Sequence, residues 1–139
     1  MRYWLFKSEP DVWSWDDQAA KGAAGEEWHG IRNYQARNNM RAMQIGDQGF
    51  YYHSNIGKEI VGVVEVCALS HPDSTTDDPR WDCVDIRALR PFKRPVTLEE
   101  AKTDPRLAGM VLVNNSRLSV QPVSPEEWAV VCGLGGVNP

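Results

Sequence analysis

The chain lacks the features that mark membrane proteins and disulfide-stabilised proteins. No apolar run approaches the ~18 residues that a membrane-spanning helix requires. The first residues lack the basic segment, long apolar run and small-residue cleavage site of a signal peptide. The three cysteines, Cys67, Cys83 and Cys132, are widely spaced and form no CxxC pair, so they predict neither a disulfide framework nor a zinc site. We therefore expect a cytoplasmic protein with no membrane partner.

Familiar catalytic motifs are absent as well. The sequence contains no GxSxG, HExxH, GxxxxGK[ST] or GxGxxG pattern. His53 and Ser54 are adjacent, so in a strand they point to opposite faces and cannot pair as base and nucleophile. His71 with Asp73, Asp77 and Asp78 has the chemistry of a divalent-metal site, but a solvated polar loop is the simpler interpretation. We predict no catalytic residue, no cofactor and no metal.

Positive charge is not in excess. The chain has 15 Lys and Arg against 19 Asp and Glu, and its net charge is −4. Non-specific binding to nucleic acid depends on many contacts between basic side chains and phosphates, so an indiscriminate polyanion binder is excluded. The charge is also uneven, because residues 1–31 carry a net charge of −3 and residues 32–58 carry +3. This distribution leaves room for a local basic rim.

The hydrophobic patterns predict a single α+β domain across residues 1–139. Helices are expected after four capping residues, and we expect Pro91 and Pro95 to break a strand and Gly133 to end the last helix. The expected caps are Ser14, Asn33, Thr97 and Ser124. The expected strands cover residues 3–6, 49–54, 59–67, 81–89 and 118–123. Most of these strands are connected as hairpins, so the sheet is expected to be mixed or antiparallel.

Tryptophan is the residue in surplus, with six in a chain of 139 residues. Trp28 stands among hydrogen-bonding side chains, which favours a ligand contact, while Trp81 fits either role. Four others lie in patterns typical of a protein core, namely Trp4, Trp13, Trp15 and Trp128. Hydrogen-bonding side chains are dense in segments 28–38, 51–55 and 114–119, and aromatic residues accompany them. This combination suits a flat heteroaromatic ligand, whose face stacks on a ring and whose edge forms hydrogen bonds.

Several long segments resemble the EVE domain family. They are residues 3–10 (YWLFKSEP), 28–38 (WHGIRNYQARN), 43–47 (MQIGD), 50–55 (FYYHSN) and 116–123 (SRLSVQPV). The resemblance implies a PUA-like fold, in which a small bent β-barrel of mixed and antiparallel strands is flanked by short helices. It also implies a relationship to YTH domains, which hold a methylated adenine in an aromatic pocket, and binding to modified bases in DNA or RNA.

The resemblance further implies roles for individual residues. Trp28 matches a cage tryptophan, Lys7 approaches phosphate and Arg117 matches a residue that meets the backbone phosphate. For Asn33, a helix cap and a base contact are equally good interpretations. The expected base pocket contains Ser8, Glu9, Trp28, Asn33, Tyr52, His53, Ser54 and Trp81. The expected phosphate contacts are Lys7, Arg32 and Arg117.

The chain departs from the family pattern in two places. Segment 71–80 is shorter than the loop that supplies a second cage aromatic in YTH relatives, which leaves Trp81 or Tyr52 as the second wall. Glu9 stands where some YTH proteins have an amide. Because a carboxylate only accepts hydrogen bonds, Glu9 would favour a base with an exocyclic amino group.

These observations predict a monomeric, non-catalytic protein that binds a modified cytosine or a methylated adenine flipped out of DNA or RNA. Two alternatives remain at this point. One is a small hydrolase of modified nucleosides, in which Lys7, Glu9 and His53 form an acid–base set. The other is a protein-interaction module.

Overall fold

In the computed structural model, the described residues, 1–115 and 117–139, form one six-stranded mixed sheet. The strands are β1 (Tyr3–Ser8), β2 (Glu26–Glu27), β3 (Gln48–His53), β4 (Glu59–Pro72), β5 (Asp82–Thr97) and β6 (Val120–Val123). Their order in the sheet is β2-β5-β4-β3-β1-β6. Strands β1 and β3 are parallel, and the other neighbours are antiparallel. A parallel pair needs a long crossover connection, which here is the segment 9–47.

Among the described residues, five short α-helices accompany the sheet. They are α1 (Trp15–Ala20), α2 (Tyr34–Ala42), α3 (Leu98–Thr103), α4 (Val111–Asn114) and α5 (Pro125–Gly135). The four predicted caps are confirmed, because each side chain accepts a hydrogen bond from a backbone N–H in the first turn. Ser14, Thr97 and Ser124 also form capping boxes. None of the helices in the described part of the chain is long and apolar enough to cross a membrane.

The sheet separates two clusters of buried side chains, because successive residues of a strand point to opposite faces. Trp4, Phe6 and Tyr51 lie in the cluster that α2 covers. Leu5 and Phe50 lie in the other cluster, which α3 and α5 cover. All five of these side chains are fully buried. The functional residues described below lie at the edge of the first cluster.

Three predicted boundaries are wrong. Strand β5 continues through Pro91 and Pro95 to Thr97, because the register with β4 shifts near these prolines and irregular pairing tolerates the missing N–H. Gly133 lies inside α5, which ends instead at Gly135 and is followed by Gly136, whose left-handed φ of 74° favours glycine. Strand β4 extends to Pro72, so His71 lies in the sheet and not in a solvated loop.

The predicted α+β class is confirmed, as is a mixed sheet flanked by short helices. The sheet is not a closed barrel. In the described ranges its edge strands, β2 and β6, are at opposite ends of the strand order and do not pair with each other.

Candidate functional site

A cavity of about 200 Å³ opens at the carboxyl end of β1. It is bordered by the last residues of β1, by the turn before α1, and by β2 with the residues that follow it. The lining residues are Lys7, Ser8, Val12, Trp13, Glu26, Glu27, Trp28, His29 and Ile31. Clefts for drug-sized ligands measure roughly 300–1,000 Å³. The smaller volume suits a single flat ring system.

Trp28 forms one aromatic wall of the cavity and is held from behind by two other rings. Its side chain meets Phe6 edge-on, with ring centroids 5.6 Å apart, and Tyr51 edge-on at 5.7 Å. Its backbone N–H donates to the carbonyl of Val84 at 2.8 Å, which prolongs the pairing between β2 and β5. Only 7% of Trp28 is exposed. The indole is therefore fixed before any ligand arrives.

Trp13 lines the same cavity, although its sequence pattern suggested a core residue. The Trp13 indole Nε1–H donates to Oε1 of Gln18 at 3.0 Å. Gln18 is fully buried, and its Nε2 donates to the carbonyl of Ile86 in β5 at 2.9 Å. The carbonyl of Trp13 accepts a hydrogen bond from the Tyr51 hydroxyl. One feature of the sequence points to this position, since Trp13 directly precedes the cap Ser14 and so lies outside the helix.

Lys7 and Ser8, the last residues of β1, are partly buried where they reach the cavity. The Lys7 ammonium lies 5.6 Å from the centre of the Tyr52 ring, and partial burial lowers the pKa of Lys7. The Lys7 N–H donates to the carbonyl of Ser119 at 3.0 Å, and the carbonyl of Ser8 accepts from the Ser54 N–H at 2.9 Å. These backbone hydrogen bonds fix two predicted site residues at the cavity.

The carboxylate on the cavity side of β2 belongs to Glu26. Glu26 and Trp28 are two residues apart in extended chain and share one face, whereas Glu27 between them points to the other face. The Glu26 carboxylate pairs with Lys21 at 3.2 Å and accepts from the Glu27 N–H at 2.9 Å. The cavity thus offers a carboxylate acceptor on the side of β2.

Glu27 belongs to a polar cluster on the far side of β2. Its Oε1 accepts from the N–H and hydroxyl of Ser74 at 2.9 and 2.7 Å, and His71 Nε2 contacts Asp85 at 2.8 Å. Among the described residues, the ligand atoms of Glu27, His71 and Cys83 lie within 4.8 Å of one another, so these three have the chemistry of a metal site. Burial raises the pKa of Cys83, which favours the protonated thiol, a poor metal ligand. The cluster serves to fasten the loop after β4 to β2.

Two residues predicted for the pocket are outside the cavity lining. Glu9 is exposed, and its backbone carbonyl accepts two hydrogen bonds in the turn after β1. Asn33 caps α2, with its side-chain oxygen accepting from the Ala36 N–H at 2.9 Å. The carboxylate on the cavity side is therefore that of Glu26 and not that of Glu9.

The predicted residues at the end of β3 are also outside the lining. Strand alternation places Tyr51 on the cavity side and Tyr52 in the opposite cluster, where it is 3% exposed. His53 Nε2 accepts from the Trp15 N–H at 3.0 Å, which requires an unprotonated nitrogen. Burial lowers the pKa of His53 and so favours this neutral form. Ser54 lies in the turn after β3.

Trp81 and Arg32 contribute to a second surface, which we call the arginine–aromatic ledge and define as Arg32, Tyr34, Arg37, Arg80 and Trp81. The rings of Tyr34 and Trp81 are stacked, with centroids 5.0 Å apart and planes inclined by 28°. Arg37 lies 4.8 Å from the Tyr34 centroid, and Arg32 and Arg80 lie 5.6 and 5.8 Å from the Trp81 centroid. Each distance is within the range of a cation–π contact. Trp81 is not among the described residues that line the cavity.

Asp73 connects the loop after β4 to the segment that follows Trp28. This carboxylate is 2% exposed and accepts from the Gly30 N–H at 2.8 Å and from Arg32 at 3.1 Å. It also accepts from the N–H and hydroxyl of Thr75. Burial alone would raise the pKa of Asp73, but these hydrogen bonds outweigh burial and lower the pKa well below the usual range.

Arg117 is exposed in a turn two residues before Ser119, whose carbonyl holds the Lys7 N–H. This places the Arg117 segment beside the end of β1. Ser116, which belongs to one of the segments that resemble the EVE family, lies outside the described residues.

The EVE domain profile matches residues 2–134. Thymocyte nuclear protein 1 of Mus musculus is 36% identical over 169 aligned positions, which cover 99% of this chain and 75% of the relative. The crystal structure of a protein from Agrobacterium tumefaciens is 62% identical, covers 100% of this chain and 97% of that chain, and superposes with a TM-score of 0.98.

Two further structures carry ligands. Human THYN1 in complex with DNA containing 5-methylcytosine is 34% identical, covers 100% of both chains and has a TM-score of 0.90. A YTH domain of Zygosaccharomyces rouxii in complex with N6-methyladenosine RNA has a TM-score of 0.58 at 17% identity, covering 96% of this chain and 86% of the other. The second likeness is one of fold.

Proposed function

The chain belongs to the EVE domain family, and on that basis we propose that it binds nucleic acid by accepting one modified base into the cavity between Trp13 and Trp28. The protein performs no chemistry on that base. The observation that carries the proposal is that two indole side chains line one cavity whose volume suits a single ring system. A structure of one relative supports the proposal, since human THYN1 has been crystallised with DNA containing 5-methylcytosine.

The proposed mechanism is extrusion of the base into a preformed cavity. Unstacking a base costs a few kcal/mol, and less in a single strand. Stacking on an aromatic side chain contributes roughly 1–3 kcal/mol per base. Because Trp28 is fixed by Phe6 and Tyr51, and Trp13 by Gln18, little of this stacking free energy is spent on ordering side chains.

Hydrogen bonds at the edge of the base then select its class. The Glu26 carboxylate only accepts hydrogen bonds, so a base with an exocyclic amino group matches it. Cytosine and adenine have this pattern, and a modified cytosine or a methylated adenine fits the proposal. Arg117, beside the end of β1, and Lys7 are proposed to contact the flanking phosphates.

The test is a binding series by fluorescence anisotropy at one stated salt concentration. Labelled oligonucleotides carry cytosine, 5-methylcytosine, adenine or N6-methyladenine at one position, as single strands and as duplexes. We expect tighter binding to one modified base than to its unmodified partner. Trp28→Ala should weaken binding to the preferred oligonucleotide by about 5-fold to 150-fold, the equivalent of one lost stacking contact.

Trp128→Phe is the matched control. Trp128 is a buried tryptophan in the opposite cluster, stacked on Phe50 at 4.0 Å, and it does not line the cavity. Its substitution should lower stability without changing base preference. If Trp28→Ala binds the preferred oligonucleotide as tightly as the parent, the cavity is not the base site.

Each of the two alternative functions predicts a different experimental result. A hydrolase would release a product from modified nucleosides, detectable by mass spectrometry. The residues suggested for an acid–base set do not converge on the cavity, because Glu9 is exposed and His53 is bonded to the Trp15 backbone. A protein-interaction module would bind none of the oligonucleotides.

A further inference from the structure

We propose that the arginine–aromatic ledge is a second nucleic-acid contact surface, which binds the strand next to the flipped base. This inference rests on the proposed function, because the occupant is the nucleic acid whose base enters the cavity. It extends that function from recognition of one base to a footprint of several nucleotides, and it assigns a role to Tyr34, Arg37 and Arg80.

The ledge has the composition of a surface that binds single-stranded nucleic acid. Such surfaces combine aromatic rings, on which bases stack, with basic groups that follow the backbone. Tyr34 is 50% exposed, which is unusual for a ring this large, and it is stacked on Trp81. Arg80 extends over the same pair, with 61% of its side chain exposed. A base can therefore reach the ring and a phosphate can reach the guanidinium groups.

Arg37 contributes positive charge to the ledge, because none of its hydrogen bonds goes to a described carboxylate. Its guanidinium donates to the Asn38 side-chain oxygen at 2.8 Å and to the carbonyl of Arg80 at 3.0 Å, and both acceptors are neutral. The other two arginines pair with Asp78 and with Asp73, which is buried. The ledge is consequently positive, as a polyanion requires.

The ledge is continuous with the base cavity along the chain. Ile31 lines the cavity, and Arg32 is the next residue. The Asp73 carboxylate holds the Gly30 N–H and the Arg32 guanidinium together, at 2.8 and 3.1 Å. A strand whose base occupies the cavity therefore leaves its neighbouring nucleotide near the ledge. This continuity favours a nucleic acid over a protein as the occupant.

The test separates contacts that position the strand from contacts that select the base. Arg37→Gln should weaken binding to modified and unmodified oligonucleotides by the same factor. It should also reduce the slope of log K against log salt by about 0.7 for a single strand, the loss of one phosphate contact. Tyr34→Ala should weaken both oligonucleotides at least about fivefold, the lower end for a lost stacking contact. Neither variant should change the ratio between the two.

Arg106→Gln is the matched control, because it removes the same charge from an exposed arginine that pairs with Asp104 away from the cavity. If Arg37→Gln and Arg106→Gln change affinity and salt slope equally, the ledge makes no contact and the proposal is overturned. That result leaves the proposed function intact. Failure of the proposed function would appear separately, as an unchanged affinity of Trp28→Ala for the preferred oligonucleotide.

Discussion

Substitution of Gln18 should loosen one wall of the cavity while every residue that lines the cavity is kept. The side chain is fully buried and connects the Trp13 indole to the carbonyl of Ile86. Gln18→Leu keeps most of the volume but removes both hydrogen bonds. The Trp13 N–H and the Ile86 carbonyl then lose this partner inside the protein.

The expected magnitudes follow from these two hydrogen bonds. Each group that loses its partner costs about 1–3 kcal/mol, so for two groups the free energy of unfolding should fall by about 2–6 kcal/mol. A Trp13 side chain that is no longer held must be ordered on binding, at about 0.5–1.5 kcal/mol. Affinity for the preferred oligonucleotide should therefore fall roughly 2-fold to 12-fold.

Urea unfolding and fluorescence anisotropy measure the two effects on the same samples. The slope of the unfolding free energy against urea should not change, since the fold is kept. Leu107→Ala is the comparison, because this fully buried residue lies in the opposite cluster and its truncation should cost about 2–5 kcal/mol. The two variants are compared at the same loss of unfolding free energy. If Gln18→Leu then weakens binding no more than Leu107→Ala does, Gln18 does not position Trp13.

Two further predictions concern stability. Asp73→Asn should cost about 2–4 kcal/mol at pH 7, because an amide cannot accept all four hydrogen bonds. The pKa of Asp73 is lowered from 3.8, so its stabilisation is present above pH 3.8 and is lost as the pH falls through the folded-state pKa. Acid unfolding curves of parent and variant should converge toward low pH, and a constant gap would contradict this account. Gly62→Ala places a Cβ 2.6 Å from the Trp15 ring and should lower the thermal midpoint by the equivalent of about 1–3 kcal/mol. Gly109→Ala, whose added Cβ meets nothing within 4 Å, should leave the thermal midpoint unchanged. Equal midpoints for the two variants would refute the packing argument.

Sequence reasoning was most accurate where structure is decided locally. The caps Ser14, Asn33, Thr97 and Ser124 depend on a side chain and the backbone three residues later, so one short segment is enough to predict them. Pro91 was misread because its tolerance depends on a register shift against β4, which no local pattern reveals.

The residues of the candidate site show the same difference between local and long-range information. Trp28 was identified from its polar neighbours, and Lys7 and Ser8 from the family resemblance, and all three line the cavity. Trp13 was missed because its position depends on Gln18, whose partner lies 68 residues away. The short segment 71–80 favours Trp81 or Tyr52 as the second aromatic wall, whereas the structure stacks Trp81 on Tyr34 outside the cavity lining.

Strand β5 holds both tryptophans of the cavity from outside it. The backbone N–H of Trp28 donates to the carbonyl of Val84, and Trp13 is connected through Gln18 to the carbonyl of Ile86. These two carbonyls are two residues apart on one strand, about 7 Å along the chain. None of the described residues of β5 lines the cavity. A change in the backbone of β5 would therefore reach both tryptophans at once, without altering any side chain that a base could touch.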